Sequence, residues 1–180
     1  MRLAGRAWDA YRSRTPEACS DLLSEDLTAL PQLRPAIGAL LEELPGRVSG
    51  LGATERRMVE LVSQGYMNPI GLFPHHAHQP HKVFGYWEAG SLLEGLARCP
   101  APVISGLGEG PFTEEIPSLK DRHDLYKQSR LSLTDLGKAV LAGKGDFGRH
   151  NPIHRWWGGT ELTNDRLWRW DPLERRLVEP

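Results

Sequence analysis

The spacing of apolar residues changes along this chain of 180 residues, and the change limits the folds that it can adopt. Before residue 100 the spacing is helical, and its clearest stripe contains Leu33, Ile37, Leu40, Leu41 and Leu44. These residues fall at i, i+4, i+7, i+8 and i+11, on one helix face. After residue 100, the stretches "PVISG" and "SRLSL" have the composition and alternation of strands. The sequence therefore predicts an α+β fold.

The predicted elements divide the chain into three segments. Residues 1–46 form an N-terminal helical segment that ends at Pro45-Gly46. Residues 51–145 contain helices, a strand pair separated by more than twenty loop-prone residues, and a last helix that Thr134 caps. Residues 150–180 are predicted to form a tryptophan-rich antiparallel β-meander on the same core. Its three strands are "RWWGGTEL", "RLWRW" and "RRLV".

Composition argues against several classes of protein. The formal net charge is −1, so the chain as a whole has no basic field to attract nucleic acid or anionic membranes. Two cysteines are too few for a disulfide framework or a four-cysteine zinc site. There is no signal-peptide stretch and no apolar run of about 18 residues, which predicts a cytoplasmic protein without a membrane span.

The stretch "RWWGGTELTNDRLWRW" holds four of the six tryptophans. Alternation along a strand places Trp168 and Trp170 on one face, and the neighbours Trp156 and Trp157 on opposite faces. Acidic residues nearly neutralise the nearby arginines, which disfavours a platform for nucleic acid. We therefore expect these four tryptophans and Arg169 to lie in the core or at an interface with a partner, with one of the adjacent pair exposed.

A histidine cluster is the sharpest candidate for metal chemistry. Its members are His75, His76, His78 and His81. Imidazoles at this density could bind zinc or nickel, which would make a metal-dependent enzyme one alternative function. However, Pro74 and Pro80 bracket the cluster and prevent one long helix from aligning its side chains. A solvent-facing loop without a cofactor is the prediction.

The order of elements over residues 51–145, with the closing phrase "LSLTDLGKAVL", resembles a winged helix-turn-helix domain. In DNA-binding members of that fold, the helix at residues 86–98 would enter the major groove and the wing would meet phosphate. The basic residues available for this are Arg98, Lys120, Arg122, Lys127 and Arg130. Glu88 and Glu94 on the same helix would repel phosphate. A DNA-binding regulator is therefore an alternative to an interaction scaffold.

Longer phrases resemble one family across the whole chain. "GRAWDAYRSRTPEA", "LSLTDLGKAVLAG" and "RWWGGTELTNDRLWRWD" are similar to the C-terminal region of bacterial proteins grouped as domain of unknown function 1835. The resemblance implies no particular activity. It implies an additional α/β-like N-terminal domain, which has no counterpart in this sequence. The predicted function is a non-enzymatic regulatory or interaction module, whose partner is another protein or such a domain; the sequence leaves its oligomeric state open.

Overall fold

Helices dominate the first part of the molecule and short strand pairs the last, in a computed structural model that describes residues 2–73 and 83–180. The predicted α+β fold is confirmed. The α-helices within the described residues are α1 (Arg2–Tyr11), α2 (Glu17–Leu22), α3 (Leu33–Glu42), α4 (Ala53–Ser63), α5 (Tyr86–Arg98), α6 (Lys120–Gln128), α7 (Asp135–Leu141) and α8 (Phe147–His150). The strands are β1 (Ile104–Ser105), β2 (Ser132–Leu133), β3 (His154–Trp157), β4 (Thr160–Thr163), β5 (Arg169–Asp171) and β6 (Arg176–Val178). None of the described helices combines the length and apolarity needed to cross a membrane.

Helices α3 and α4 begin and end where local chemistry dictates. The predicted stripe of α3 faces the core, with Ile37 and Leu41 buried. Helix α4 begins after Gly52, whose backbone N–H donates to the Glu55 carboxylate at 2.8 Å. That bond satisfies one of the amide groups that a helix N-terminus leaves without a partner. The chain leaves α4 through Gly65, whose φ of +94° is readily available only to glycine.

The strand pair β1–β2 is antiparallel and lies among three helices. Ile104 pairs with Leu133, and α4 packs against α5, α7 and β2. Thr134 caps α7 as predicted, because its hydroxyl accepts a hydrogen bond from the N–H of Gly137 at 3.0 Å. The same hydroxyl donates to the Pro102 carbonyl at 2.6 Å, which fixes α7 to the segment before β1.

The segment between β1 and β2 contains more helix than the sequence predicts. A short 3-10 helix covers Ile116–Ser118, and α6 follows it directly. The sequence of α6, "KDRHDLYKQ", is too polar to show an apolar stripe, so periodicity gave no helical signal. Packing explains the helix instead: Tyr126 is fully buried, with its ring centroid 4.8 Å from that of Phe112.

The C-terminal strands form two hairpins and not one three-stranded meander. The predicted strand "RWWGGTEL" turns back on itself at Gly158-Gly159 and pairs β3 with β4. Gly158 has a φ of +55°, the left-handed conformation that tight hairpin turns require. Strands β5 and β6 form the second hairpin. This hairpin is tied to the N-terminal segment by two backbone hydrogen bonds of Trp170. Its backbone N–H donates to the Pro45 carbonyl at 3.0 Å, and its carbonyl accepts from the N–H of Arg47 at 2.9 Å.

All three predicted segments contribute to one hydrophobic core. Its members include Leu41 and Leu44 from the N-terminal segment, Met58 and Leu93 from the central one, and Trp157 from the last. The first hairpin also bonds to the end of α1, where the Gly159 N–H donates to the Tyr11 carbonyl at 2.9 Å. The first hairpin is therefore held against the N-terminal segment.

Candidate functional site

The four clustered tryptophans differ sharply in exposure. Trp156 is 65% exposed, whereas Trp157, Trp168 and Trp170 are buried to between 3% and 9% exposure. Trp156 and Trp157 are consecutive residues of β3, so their side chains leave opposite faces of the hairpin. Trp157 enters the core, and its indole N–H donates to the Leu40 carbonyl of α3 at 2.8 Å. Because Trp157 points into the core, alternation along the strand directs the side chain of Trp156 to the surface.

Trp156 borders a cleft of about 520 Å³ between α5, the segment after Pro111, and β3. We call it the aromatic cleft. Its aromatic residues are Phe84, Trp87, Phe112, Trp156 and Trp157, and its charged residues are Glu43, Glu55, Glu88, Glu114 and Arg155. A volume of this size lies in the range of small-ligand pockets, about 300–1,000 Å³.

The floor of the cleft contains an ion pair that joins β3 to α4. Arg155 donates from Nη1 to Glu55 Oε1 at 2.9 Å, and the Glu55 side chain is only 9% exposed. The second nitrogen of the guanidinium, Nη2, is buried and has no hydrogen-bond partner among the described residues. Because a buried donor without an acceptor is unfavourable, a ligand oxygen that reached Nη2 would stabilise the site.

Glu43 is the second buried carboxylate of the floor. It accepts hydrogen bonds from the Thr54 hydroxyl at 2.5 Å and the Thr54 N–H at 3.1 Å, at the N-terminus of α4. Burial raises the pKa of Glu43 above its ordinary value of 4.5, against the opposing effect of these two bonds. Both floor carboxylates thus hold the start of α4 in place.

This raised pKa makes a testable prediction about stability. The folded state binds a proton at Glu43 more tightly than the unfolded state, so the contribution of Glu43 is full below pH 4.5 and is lost as pH rises through its folded pKa. We expect the stability of the wild type, measured relative to the Glu43→Gln variant by urea denaturation, to decline from pH 4 to pH 8. A difference that does not change with pH would contradict this assignment.

The rim of the cleft is aromatic and acidic. Trp87 is 39% exposed and lies off the buried stripe of α5, with its ring centroid 5.9 Å from that of Phe112. Glu88 accepts from the N–H of Gly85 at 3.1 Å, which caps α5. Glu114 is exposed and has no hydrogen bond or ion pair among the described residues. Four glutamates and one arginine among the described lining residues give the cleft an acidic character.

The basic residues proposed to contact DNA are largely neutralised by neighbouring carboxylates. Arg98 pairs with Glu94 at 2.6 Å, Arg122 with Glu109 at 2.8 Å, and Lys127 with Asp124 at 2.7 Å. The hydrogen bond from Arg122 is the main cause that lowers the pKa of Glu109. Only Lys120 and Arg130 of this set are exposed without an ion pair among residues 2–73 and 83–180.

The candidate metal ligands cannot be placed, since His75, His76, His78 and His81 lie outside the described residues. Within the described residues, no group of three or more His, Cys, Asp or Glu side chains is arranged to hold a metal ion. Cys19 is buried, and burial raises the pKa of its thiol to about 11. A thiol with so high a pKa is a poor nucleophile at neutral pH.

The sequence-predicted interface residues separate into two environments. Trp157, Trp168 and Trp170 lie in the core, and Arg169 pairs with Asp146 at 2.9 Å. Trp156 is exposed and borders the aromatic cleft. Sequence reasoning did not assign Trp87, Glu114, Glu43, Glu55 or Arg155 to any site. Of these residues, only Trp87 could have been recognised from the sequence as a site candidate. It is a large aromatic residue outside the buried stripe of its helix, so it is expected on the surface.

Comparisons with known proteins identify no relative: no family model, no curated protein and no solved structure matches this chain. The burial and charge of the aromatic cleft are therefore the basis for a functional conclusion.

Proposed function

We propose that this protein is a non-enzymatic interaction module that holds a lysine or arginine side chain of a partner protein in the aromatic cleft. One observation carries the proposal: Trp156 is 65% exposed beside an acidic cleft, while its three neighbouring tryptophans are buried. An exposed tryptophan of this kind offers a π-face to a cation. Trp87 supplies a second exposed indole on the same cleft.

The charges of the cleft favour a cationic occupant. Glu55 is already paired with Arg155, and Glu88 caps α5. Glu114, in contrast, has no partner among the described residues and lies on the rim. A lysine or arginine placed against Trp87 or Trp156 would gain a cation–π contact together with attraction to the rim carboxylates.

The buried carboxylates support binding in preference to catalysis. A general acid or base must be free to reach a substrate proton. Glu43 is engaged by both the hydroxyl and the N–H of Thr54, and Glu55 by the Gly52 N–H and Arg155. Their role in this arrangement is to fix α4 and β3 as rigid walls of the cleft.

The DNA-binding alternative receives less support from the charges. Three of its five cations are paired, and the exposed carboxylates Glu88 and Glu114 lie on the cleft that borders α5. Contacts with DNA phosphates require free cationic side chains, and each such contact makes the affinity for DNA more dependent on salt concentration. A duplex that bound tightly at low salt and dissociated steeply with added salt would favour this alternative over the proposal.

The proposal is tested with capped pentapeptides that differ only at the central residue: arginine, lysine, citrulline or glutamate. We expect the arginine or lysine peptide to bind about 5- to 30-fold more tightly than the citrulline peptide, the range expected for a cation–π contact. Isothermal titration calorimetry measures the four affinities. Citrulline has nearly the shape of arginine without its charge, so equal binding of these two peptides would disprove the proposal.

Single substitutions locate the binding. Trp156→Ala and Glu114→Gln are expected to weaken the binding of the cationic peptide, because they remove the exposed ring and the unpaired carboxylate. Trp8→Ala is the matched control, since Trp8 is 57% exposed on α1 and does not line the cleft. A loss of affinity in the Trp8 variant equal to that in the Trp156 variant would place the binding elsewhere.

A further inference from the structure

A second and larger cleft, of about 720 Å³, lies between α3, α4 and the turn that joins β5 to β6. We call it the arginine cleft, after Arg34, Arg56, Arg57 and Arg175, which come from these three parts of the fold. The buried residue Glu43 borders both clefts. The two clefts are neighbours but differ in charge.

The described lining residues of the arginine cleft include four arginines and three glutamates. Arg56 and Arg57 both pair with the one carboxylate of Glu60, at 3.0 and 3.5 Å. Two guanidinium groups thus share a single negative charge. Arg175 is exposed and has no ion-pair partner in the part of the chain that the structure describes. The cleft therefore offers positive charge that an anionic group could use.

The position of Arg175 is enforced by the turn. Its φ of +51° makes it the one non-glycine residue with positive φ among the described residues. Asp171 holds this turn, because its carboxylate accepts from the N–H groups of Leu173 and Glu174 and pairs with Arg47 at 2.8 Å. Residues other than glycine rarely adopt this backbone conformation, and they keep it where the surrounding structure enforces it. In this turn the conformation leaves Arg175 among the residues that line the cleft.

The rest of the cleft wall is apolar. Leu44, Leu51 and Trp170 are buried residues that line it. Gly38 on α3 leaves open space beside this wall, because a Cβ added there would meet no atom within 4 Å. The Trp170 indole N–H is buried and has no acceptor among the described residues. An occupant that combined a flat apolar body with an acceptor would fit this wall better than a simple inorganic ion.

We propose that the arginine cleft binds a small organic anion whose negative group is carried on an apolar ring. Arg175 and the Arg56–Arg57 pair hold the anionic group, and the ring lies against Trp170 in the open space beside Gly38. This site is separate from the aromatic cleft, and its occupant has the opposite charge. The proposal therefore goes beyond the interaction function and can succeed or fail independently of it.

The probe is 8-anilinonaphthalene-1-sulfonate, an aromatic sulfonate, compared with uncharged N-phenyl-1-naphthylamine, which has the same rings. Fluorescence titration of the folded protein is expected to show one site for the sulfonate, weakened by added salt. Arg175→Ala and Arg57→Gln are each expected to weaken sulfonate binding about fivefold, as for the loss of one partly exposed charge contact. Neither change is expected to alter binding of the uncharged probe.

Gly38→Leu places a side chain in the open space beside Gly38, its Cβ would meet no atom within 4 Å, and it replaces a glycine within a helix, so the fold is expected to persist. It should abolish binding of both probes, while Trp156→Ala, which alters only the aromatic cleft, should leave both unchanged. Circular dichroism checks that each variant is folded. The proposal is overturned if the sulfonate binds no better than the uncharged probe, if Arg175→Ala has no effect, or if binding survives in folded Gly38→Leu.

Discussion

Replacement of Trp157 by alanine is expected to reduce the free energy of unfolding by about 3–5 kcal/mol, the range for removal of a buried tryptophan. Trp157 is 6% exposed, and it fills the space between β3 and α3. The substitution would leave a cavity and would also remove the donor to the Leu40 carbonyl. Urea denaturation followed by far-ultraviolet circular dichroism measures the loss.

The neighbouring residue provides the control for this effect. Trp156→Ala removes an equally large side chain from the same strand, but from the exposed face, so a change within about 0.5 kcal/mol is expected. Trp157→Phe should fall between the two, because it retains an aromatic ring and loses the indole N–H. Equal destabilisation by the two alanine variants would show that the burial assigned to Trp157 is wrong.

Asn151→Ala is expected to destabilise the protein by about 2–4 kcal/mol, the sum of lost hydrogen bonds and newly unsatisfied backbone groups. The Asn151 side chain accepts from the Ala101 N–H at 2.8 Å and donates to the carbonyls of Ala101 at 2.9 Å and Phe147 at 3.3 Å. It therefore joins the segment after α5 to α8. Asn151 is buried, so water cannot easily replace these bonds.

Two further variants separate this role from a general sensitivity of the segment. His150→Ala changes the preceding exposed residue and should have little effect on stability. Asn151→Asp keeps the acceptor for the Ala101 N–H but places a carboxylate oxygen against the carbonyls of Ala101 and Phe147 at a buried position, so a loss at least as large as that of Asn151→Ala is expected. If Asn151→Ala unfolds at the same urea concentration as the wild type, the side-chain bridge does not stabilise the fold.

Local patterns in the sequence were sufficient to predict helices such as α3 and α7. The stripe from Leu33 to Leu44 predicted α3, and Thr134 predicted the start of α7, because spacing and capping act within one or two turns of chain. Helix α6 was missed because its stability comes from the burial of Tyr126 and not from its own polar sequence.

The candidate site could not be assembled in this way. Arg155 and Glu55 are 100 residues apart, and no local pattern shows that they form an ion pair. Glu43 and Thr54 meet only because a loop carries the chain from α3 to the start of α4. The arginines of the second cleft also come from distant parts of the chain. Such contacts depend on how elements pack, and packing is set by the whole molecule.

Trp156 and Trp157 separate what the sequence determines from what the tertiary structure determines. The sequence alone determined that Trp156 and Trp157 point to opposite faces, because successive side chains alternate in any strand. Only the tertiary structure decided which one is exposed, since α3 presents its Leu40 carbonyl to the face that carries Trp157. The hairpin at Gly158-Gly159 leaves Trp156 exposed at the border of the acidic cleft beside α5. Alternation is a property of the backbone, whereas burial depends on which surface packs against it.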